Sequence, residues 1–494
     1  MAHLFTIGDS ISQGFRSGCT AFSEHAYSTY LSEALGITKD QYRISHWPEI
    51  KLKFDLEAIF RLIQKRFGND VSNLEWLPLL AAVSSFLDKS EEYYERGDGK
   101  IGTPIPKYNY DFMDNCAYEG MRVADAWEVT PALCKDRISA DLSSIKNDRG
   151  LAVASQPFYR SAYRVLNPQA KTQYNSFSAL SWLEHLAIDE GVENTIVFLG
   201  ANNALGTIFD LKVKMSLGTG GSHGSRLGAD ELRYNLWHPK DFLYDYSQLI
   251  DRLCDAQKQN QVRDWKVYLG TVPLVTIAAI LEGFGEERLV DDPEVPLGQA
   301  ERQFRYYQYY KYYGVRDETA VRDERKHMAF RDALFIDKVI IEYNRSIARL
   351  AAAKNKALSR EAFIVVDISK VLTDMAWKRN SGMPRYELPP ELAWVYPPLN
   401  TKFYRVDAAG KMADGGVFGL DGIHPTVIGQ GLIAWEFLKA FQKHGSASAD
   451  AFLNWDRIIK DDELYQNPIA VIRDIVENDE AVNFLVQVVS LLPT

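Results

Sequence analysis

The chain has 494 residues, of which 46% are hydrophobic and 25% charged, and its formal net charge is -10 at pH 7. This composition is close to the globular average and excludes a globally disordered chain. The acidic balance excludes nucleic-acid binding through overall charge, and no basic patch offsets it, so we expect no nucleic-acid partner.

The cysteines and the apolar runs indicate the compartment. The four cysteines lack the spacing of a zinc module or a disulfide framework, so we expect reduced thiols, no metal and no cofactor. No signal-peptide pattern precedes the first motif, and no run approaches 18 uncharged apolar residues. We therefore expect a cytoplasmic protein without a transmembrane segment, whose oligomeric state the sequence does not indicate.

Five short apolar runs, each ending in small or polar residues, predict buried parallel strands followed by turns. They cover residues 3–7, 110–116, 194–199, 266–269 and 363–366, of which the second run is the weakest. Helical periodicity is clearest at residues 242–256, 335–352 and 427–441. Strands that alternate with helices predict an α/β fold, in which a parallel sheet has helices on both sides.

Four stretches lie outside the strands and helices of this predicted core, and we expect them to be mainly helical insertions. They lie at about residues 47–100, 205–238, 275–334 and 381–415. The second contains a glycine-rich loop, and the fourth is rich in proline and glycine. The predicted organisation is one domain over residues 1–445, followed by a C-terminal helical extension over residues 446–494.

The first motif, Gly8-Asp9-Ser10, directly follows the first predicted strand. A serine at the carboxyl end of a parallel strand is exposed at the edge of the sheet, where ligands bind. The helix that follows favours developing negative charge at its N-terminus. The structural alternative is a helix N-cap, since Asp and Ser both cap helices well.

Two further loops follow predicted strands and could stabilise an oxyanion. Residues 115–120 end in Gly120, whose N–H could approach a substrate oxygen closely, although it could equally be an ordinary turn glycine. Residues 200–203 offer the side-chain amide of Asn202, although asparagines in such loops also simply tolerate left-handed backbone.

Asp421 and His424 lie three residues apart, and Pro425 follows them. A serine hydroxyl is a poor nucleophile and needs an adjacent base, which a histidine can supply. A carboxylate then orients the ring and stabilises the imidazolium. The alternatives are a capping turn with an exposed histidine, or a metal pair for which no third ligand lies nearby in the sequence.

The four motifs, in this order, resemble those of the SGNH hydrolases, also called GDSL-type esterases and lipases. The resemblance implies that Ser10 is the nucleophile, His424 the general base and acid, and Asp421 its orienting carboxylate. It also implies an oxyanion hole from the N–H groups of Ser10 and Gly120 and the amide of Asn202. The implied fold is a flavodoxin-like, three-layer α/β/α sandwich with a five-stranded parallel sheet.

Two positions depart from the family's pattern, because Asn203 stands where Asp is usual and Ile11 where Leu is usual. The expected activity is hydrolysis of a small-molecule, lipid or carbohydrate carboxylic ester through an acyl-enzyme on Ser10. The alternatives are an acyltransferase that uses the same site and a non-catalytic ligand-binding protein that retains the fold. Either enzymatic activity requires Ser10 and His424, more than 400 positions apart, to meet at one end of the sheet.

Overall fold

A computed structural model describes most of the chain. The described residues are 4–19, 22–68, 76–105, 110–140, 145–146, 152–222, 226, 233–295 and 299–472. Their strands are β1 (Leu4–Gly8), β2 (Ile145–Lys146), β3 (Ala152–Val153), β4 (Asn194–Phe198), β5 (Lys266–Gly270), β6 (Leu281–Asp291), β7 (Gln303–Tyr312), β8 (Met328–Ala329), β9 (Phe363–Val366), β10 (Arg405–Val406) and β11 (Met412–Asp414).

A parallel sheet of four strands forms the centre, in the order β1-β4-β5-β9. Its register places Leu4 opposite Asn194, and Asn194 opposite Lys266. Every residue of β1 and β4 is buried. Burial along the whole strand, without alternation, is typical of a parallel sheet that is covered on both faces. All four carboxyl ends therefore point to one edge of the sheet.

The helices surround this sheet. They are α1 (Ser10–Gln13), α2 (Tyr27–Ala34), α3 (Leu56–Phe67), α4 (Trp76–Glu95), α5 (Asp125–Glu128), α6 (Pro131–Ala140), α7 (Pro157–Leu166), α8 (Ala179–Asp189), α9 (Gly206–Asp210), α10 (Pro239–Ala256), α11 (Asp317–Arg322), α12 (Phe330–Leu358), α13 (Ile368–Met375), α14 (Val427–Lys443), α15 (Trp455–Asp461) and α16 (Glu463–Gln466). The prediction of an α/β chain with a parallel sheet is thereby confirmed. Across the described helices, none is long and apolar enough to cross a lipid bilayer.

Aromatic stacking fixes the helices on the sheet. The Tyr27 ring of α2 stacks on Phe437 of α14, with ring centroids 5.1 Å apart, and meets Phe198 of β4 edge-on. Helix α10 packs against both α8 and α12, and its Phe242 stacks on Tyr343 of α12 at 3.9 Å. These contacts hold the loops that follow β1 and β4 in fixed positions at the carboxyl edge.

The predicted strand over residues 110–116 is not a strand of the sheet. A single parallel bridge joins Asn115 to Thr6 at the free edge of β1. The backbone of Asp114 also exchanges hydrogen bonds with Thr6 and Arg43, and the Arg43 side chain binds the Asp114 carboxylate at 2.6 Å. The Asn115 side chain then accepts the N–H of Ala117. Such local side-chain hydrogen bonds compete with a strand ladder, which explains why the pairing stops after one bridge.

The insertion over residues 275–334 is mainly a β-structure, so the prediction of a mainly helical insertion was wrong there. Strands β6 and β7 form an antiparallel hairpin, and β8 pairs with β7. The tyrosines of β7 favour an extended strand because aromatic rings pack well on a pleated surface. Helices α3 and α4 do occupy the first insertion. Residues 473–494, within the expected C-terminal extension, lie outside the described part of the chain.

Candidate active site

Ser10 lies where β1 passes into α1. The side-chain cap of α1 is Asp9, whose Oδ1 accepts the N–H of Ile11 at 3.1 Å, so Ser10 is not used as the N-cap. As the first helical residue, Ser10 has a backbone N–H that no carbonyl of the helix accepts. Its side chain is buried at the carboxyl edge of the sheet. A hydroxyl and an N–H group are thus presented side by side.

Three predicted site residues form one hydrogen-bonded series. The Oγ of Ser10 lies 2.9 Å from Nε2 of His424, and Nδ1 of His424 lies 2.9 Å from Oδ2 of Asp421. All three side chains are buried. The ring of Phe15 packs on the His424 ring with centroids 4.4 Å apart, which fixes the imidazole plane. The structure therefore brings together residues that are 414 positions apart.

Asp421 is held as a carboxylate. Its Oδ1 accepts the N–H groups of Ile423 and His424, and its Oδ2 accepts the N–H of Gly18, each at 2.9 Å. Burial alone would raise the pKa of Asp421, but the charge of His424 and the hydrogen bonds from His424 and Ile423 outweigh it and lower the pKa below 3.8. An ionised Asp421 keeps the proton of His424 on Nδ1, so the lone pair of Nε2 faces Ser10.

A second carboxyl group, Asp9, lies beside the serine. Burial raises the pKa of Asp9 to about 7, although the hydrogen bond from Ile11 and the charge of His424 lower it in part. Asp9 also lines the same pocket as Ser10 and His424. Asp9 therefore gains or loses its proton near neutral pH, whereas Asp421, the other carboxyl group of the site, stays ionised.

The loop after β4 contributes Asn202. Its Nδ2 donates to the carbonyl of Met121 at 3.1 Å, and the residue lines the pocket with Ser10 and His424. The neighbouring Asn203 is buried, and its Oδ1 accepts the N–H of Val123 at 3.3 Å. An amide oxygen can accept this bond as a carboxylate oxygen would. The contact is therefore compatible with either residue at the position where the resemblance led us to expect an aspartate.

Gly120 lies outside the pocket lining, unlike Ser10, Asn202 and His424. It has a φ of +75°, which favours glycine, and its carbonyl accepts a hydrogen bond from Arg226 at 2.9 Å. The Arg226 Nε also lies 3.0 Å from both carboxylate oxygens of Asp125, and its guanidinium is 3.4 Å from the ring centroid of Phe158. The Gly120 loop is therefore fixed near the end of β1 without reaching the pocket wall.

The pocket itself is small and mostly apolar. Its volume is about 60 Å³, and its polar lining consists of Asp9, Ser10, Asn202 and His424. The apolar lining includes Leu205, Pro273, Val275, Ile277, Leu372 and Phe418. An apolar surrounding strengthens hydrogen bonds and charge interactions at the serine. The arrangement can activate a hydroxyl, hold a small group beside it and bind a developing negative charge.

Sequence reasoning missed two parts of this site. One is Gly18, whose N–H binds Asp421 across 403 positions. The Ser17-Gly18 pair signals a turn, but a backbone donor carries no mark of its distant acceptor. The other is the apolar wall over residues 273–278, which is an ordinary apolar run in the sequence. Within the described ranges, no group of three His, Cys, Asp or Glu side chains could hold a metal ion, and none of the four cysteines is in a disulfide.

Known proteins give no independent indication of the function. Comparisons with models of protein families, with curated proteins and with solved structures found no significant match to this chain. What the protein does therefore has to follow from the residues of this pocket and their geometry.

Proposed function

We propose that this protein is a serine hydrolase of the SGNH kind, which cleaves carboxylic esters through an acyl-enzyme on Ser10. The observation that carries the proposal is the series of hydrogen bonds from Ser10 through His424 to Asp421, with 2.9 Å at each step. A nucleophile, a base and an orienting carboxylate need this arrangement and these distances.

In the first half-reaction, Ser10 Oγ bonds to the carbonyl carbon of the ester while Nε2 of His424 takes the hydroxyl proton. Asp421 stabilises the resulting imidazolium. His424 then gives that proton to the alcohol oxygen as the carbon–oxygen bond of the ester breaks. An alcohol leaves, and the acyl group stays on Ser10 as a new ester.

In the second half-reaction, a water molecule replaces the alcohol. His424 takes a proton from the water while the water oxygen attacks the acyl carbon. It then gives this proton to Ser10 Oγ as the bond between Oγ and the acyl carbon breaks. A carboxylic acid is released, and both the serine and the histidine return to their starting states. The acyltransferase alternative differs only in that an alcohol takes the place of water here.

Two hydrogen-bond donors, the N–H of Ser10 and the amide of Asn202, could stabilise the oxyanion that forms in both half-reactions. The N–H of Ser10 has no acceptor within its helix. One hydrogen of the Asn202 amide is used on Met121, which leaves the second for an oxygen in the pocket. Because Gly120 does not line the pocket, the proposal depends on the Ser10 N–H and the Asn202 amide as oxyanion donors. A contribution from the Gly120 N–H remains a prediction of the resemblance alone.

The strand order supports the proposal at the level of the fold. If residues 114–116 are counted as a short fifth strand beside β1, the order along the sheet becomes 2-1-3-4-5, which is that of the flavodoxin-like sandwich. In such sheets ligands bind where the strand order reverses, at the carboxyl ends of the strands. Ser10 and Asn202 follow the two neighbouring strands at that point, β1 and β4.

A fluorophosphonate probe, which bonds covalently to activated serines, tests the proposal. We expect it to label the wild-type protein at Ser10 and to leave Ser10→Ala unlabelled. His424→Ala should react far more slowly, while Ser448→Ala, at an exposed serine, should react like the wild type. Equal labelling of the wild type and Ser10→Ala would contradict the proposal. Product analysis with added alcohols then separates hydrolysis from acyl transfer.

A further inference from the structure

We infer that the site takes esters of short, uncharged aliphatic acyl groups, and that the wall formed by residues 273–278 sets the limit on acyl length. The inference rests on the proposed function, because it assigns the pocket to the part of the substrate that becomes bonded to Ser10. Three observations carry it: the volume of the pocket, the chemistry of its lining and the fixation of the wall.

The volume limits the acyl group to a few carbons. The acyl group stays on Ser10 Oγ throughout the acyl-enzyme, so it has to fit beside that atom, whereas the alcohol part leaves. The pocket there measures about 60 Å³. An apolar protein cavity that binds benzene has about 150 Å³. Beside Ser10 the pocket therefore accommodates a chain of about two to four carbons, and a longer chain would have to extend beyond the apolar lining.

The lining selects against charge. Asp9 and His424 are the ionisable residues among those that line the pocket, and most of the others are apolar. No lysine or arginine belongs to this lining. An acyl group that carries its own carboxylate would lose its hydration here without gaining a cation as a partner. It would also lie in the same small space as Asp9. Acids such as acetic and butyric acid, and not dicarboxylic acids, fit this lining.

A buried polar network holds the wall from behind. The Arg379 guanidinium donates to the hydroxyl of Thr276 at 2.6 Å and pairs with Asp337 at 3.1 Å, and the two charged side chains are fully buried. Tyr306 of the hairpin donates to the same Asp337 carboxylate at 2.7 Å. Breaking a buried, hydrogen-bonded ion pair is strongly unfavourable. The wall is therefore fixed in place and does not give way to a longer chain.

The wall is also joined to the catalytic turn. The Nζ of Lys378 donates to the carbonyl of Ala278 at 2.7 Å, and the N–H of Ile280 donates to the carbonyl of Gly422 at 3.0 Å. Gly422 lies between Asp421 and His424. Moving the wall outward to admit a longer acyl chain would therefore disturb the turn that carries His424. A longer chain would then lower the turnover by displacing His424 as well as by crowding the pocket.

Two ester series test the inference. In the first, the acyl group varies over p-nitrophenyl acetate, butyrate and octanoate. In the second, the acetyl group is constant and the alcohol varies over ethyl, butyl and octyl acetate. We expect kcat/KM to fall on the order of 100-fold from butyrate to octanoate, and to change by less than about 10-fold across the alcohol series. Monomethyl succinate should not be a substrate.

Enlarging the pocket should relax the limit. Leu372 and Ile277 line the pocket, so Leu372→Ala and Ile277→Ala should each raise the ratio of octanoate to acetate turnover by about 10-fold or more. The matched control is Leu289→Ala, because Leu289 is 61% exposed on β6. That variant should keep the wild-type ratio. If either pocket variant folds poorly, the two ester series measured on the wild-type protein still test the limit on acyl length.

The outcomes separate this inference from the proposed function. A protein that cleaves octanoate as well as acetate, or that discriminates by alcohol length and not by acyl length, overturns the inference and leaves the ester hydrolase in place. Labelling of Ser10 without cleavage of any short ester likewise overturns the inference alone. If no ester is cleaved and Ser10 is not labelled, the proposed function fails, and the inference fails with it.

Discussion

Asp421 carries out two tasks in one turn of the chain. Its Oδ2 binds both the imidazole of His424 and the N–H of Gly18, while its Oδ1 accepts the N–H groups of Ile423 and His424. The carboxylate therefore shapes the turn that carries the histidine and also orients the ring within it. The charge of His424 and the hydrogen bonds from His424 and Ile423 keep it ionised in a buried position, which an isolated buried carboxylate would not tolerate.

Asn202 gives the first prediction at the scale of single residues. Replacing it with alanine removes an amide donor from the pocket, so in the proposed mechanism the tetrahedral intermediate loses one hydrogen bond. We expect kcat to fall on the order of 10²–10³-fold, with a smaller change in KM, because the ground-state ester needs that donor less. Steady-state kinetics with p-nitrophenyl acetate measure this. An unchanged kcat in a folded Asn202→Ala protein would remove the amide from the oxyanion hole.

Asp9 gives a prediction about stability and pH. Its pKa is raised from 3.8 to about 7 by burial, so between these values the folded protein keeps a proton that the unfolded chain has released. The folded state is therefore disfavoured progressively as pH rises through this window. Asparagine does not ionise, so Asp9→Asn should not lose stability in this way. The free energy of unfolding of Asp9→Asn minus that of the wild type should therefore increase from pH 4 to pH 7.

Urea denaturation of the wild type and Asp9→Asn across that pH range measures the difference. The same comparison with Asp40→Asn, at an exposed carboxyl group, is the control and should show no such trend. A difference between the wild type and Asp9→Asn that stays constant with pH would show that Asp9 ionises in the folded protein as freely as in the unfolded chain.

Chemistry made some site residues predictable and others not. The sequence singles out Ser10, Asp421 and His424, which the fold brings together, because nucleophilic catalysis would need those residue types in short motifs that end strands or open helices. Gly18 is not found, because it acts through a backbone N–H that every residue except proline has. The expected role of Gly120 stays a prediction: the residue does not line the pocket, and the conformational freedom of a glycine does not determine the direction in which its loop turns.

Gly422 gives a prediction at the scale of structural elements. It has a φ of +66°, and a Cβ built on it would lie 2.6 Å from the backbone nitrogen of Ile280. Gly422→Ala therefore combines a left-handed backbone with a collision between the turn that carries His424 and Ile280, which follows the pocket wall. We expect a loss of stability about 1–3 kcal/mol larger than backbone strain alone would cause, together with lower esterase activity.

Gly36→Ala isolates the strain, because Gly36 has a φ of +73° and nothing lies within 4 Å of its added Cβ. Both variants place an alanine in the left-handed region, and only Gly422→Ala has a backbone neighbour in the way. Chemical denaturation and p-nitrophenyl acetate turnover of the two proteins give the comparison. Equal losses would mean that the contact between the turn and the wall can relax without cost.

The central strands follow directly from local patterns, whereas pairing at the periphery does not. The short, mainly apolar runs at residues 194–199 and 363–366 become β4 and β9 almost residue for residue. The run at 110–116 is the weakest of the five, and its Asp114 binds Arg43, which lies 71 positions away in the sequence. The tyrosine-rich stretch of β7 forms a strand through pairing with β6, a partner that its own composition does not reveal.

At the scale of the whole molecule, a residue of the 205–238 insertion supports the core. Arg226 pairs with Asp125, whose carboxylate is fully buried, and also binds the carbonyl of Gly120. Arg226→Gln should leave the Asp125 charge without its cation and loosen the Gly120 loop. We expect a loss of about 3–5 kcal/mol in the free energy of unfolding, together with reduced turnover.

The control for this prediction is Arg325→Gln, in an Arg–Asp pair of similar geometry with Asp323. The Arg325 side chain is 89% exposed, so water replaces the lost contact and stability should hardly change. Urea denaturation of both variants tests the contrast. A loss at Arg226 no larger than at Arg325 would show that the insertion does not stabilise the core through this pair.

The sequence predicted the class of the molecule because the parallel sheet is built from short-range patterns. It did not predict the extent of the pocket, since the pocket wall, the hairpin behind it and the catalytic turn come from separate parts of the chain. Thr276, Tyr306 and Arg379 form one buried network although no two of them are neighbours in sequence. Only the folded chain shows that this network holds the pocket wall at Thr276.

Turnover of p-nitrophenyl acetate by the wild type and by Ser10→Ala tests the central claim most directly. If Ser10 is the nucleophile, the variant should lose activity on the order of 10⁶-fold, while its circular dichroism spectrum and melting temperature stay close to those of the wild type. A folded Ser10→Ala protein that hydrolyses the ester at the wild-type rate would contradict the account.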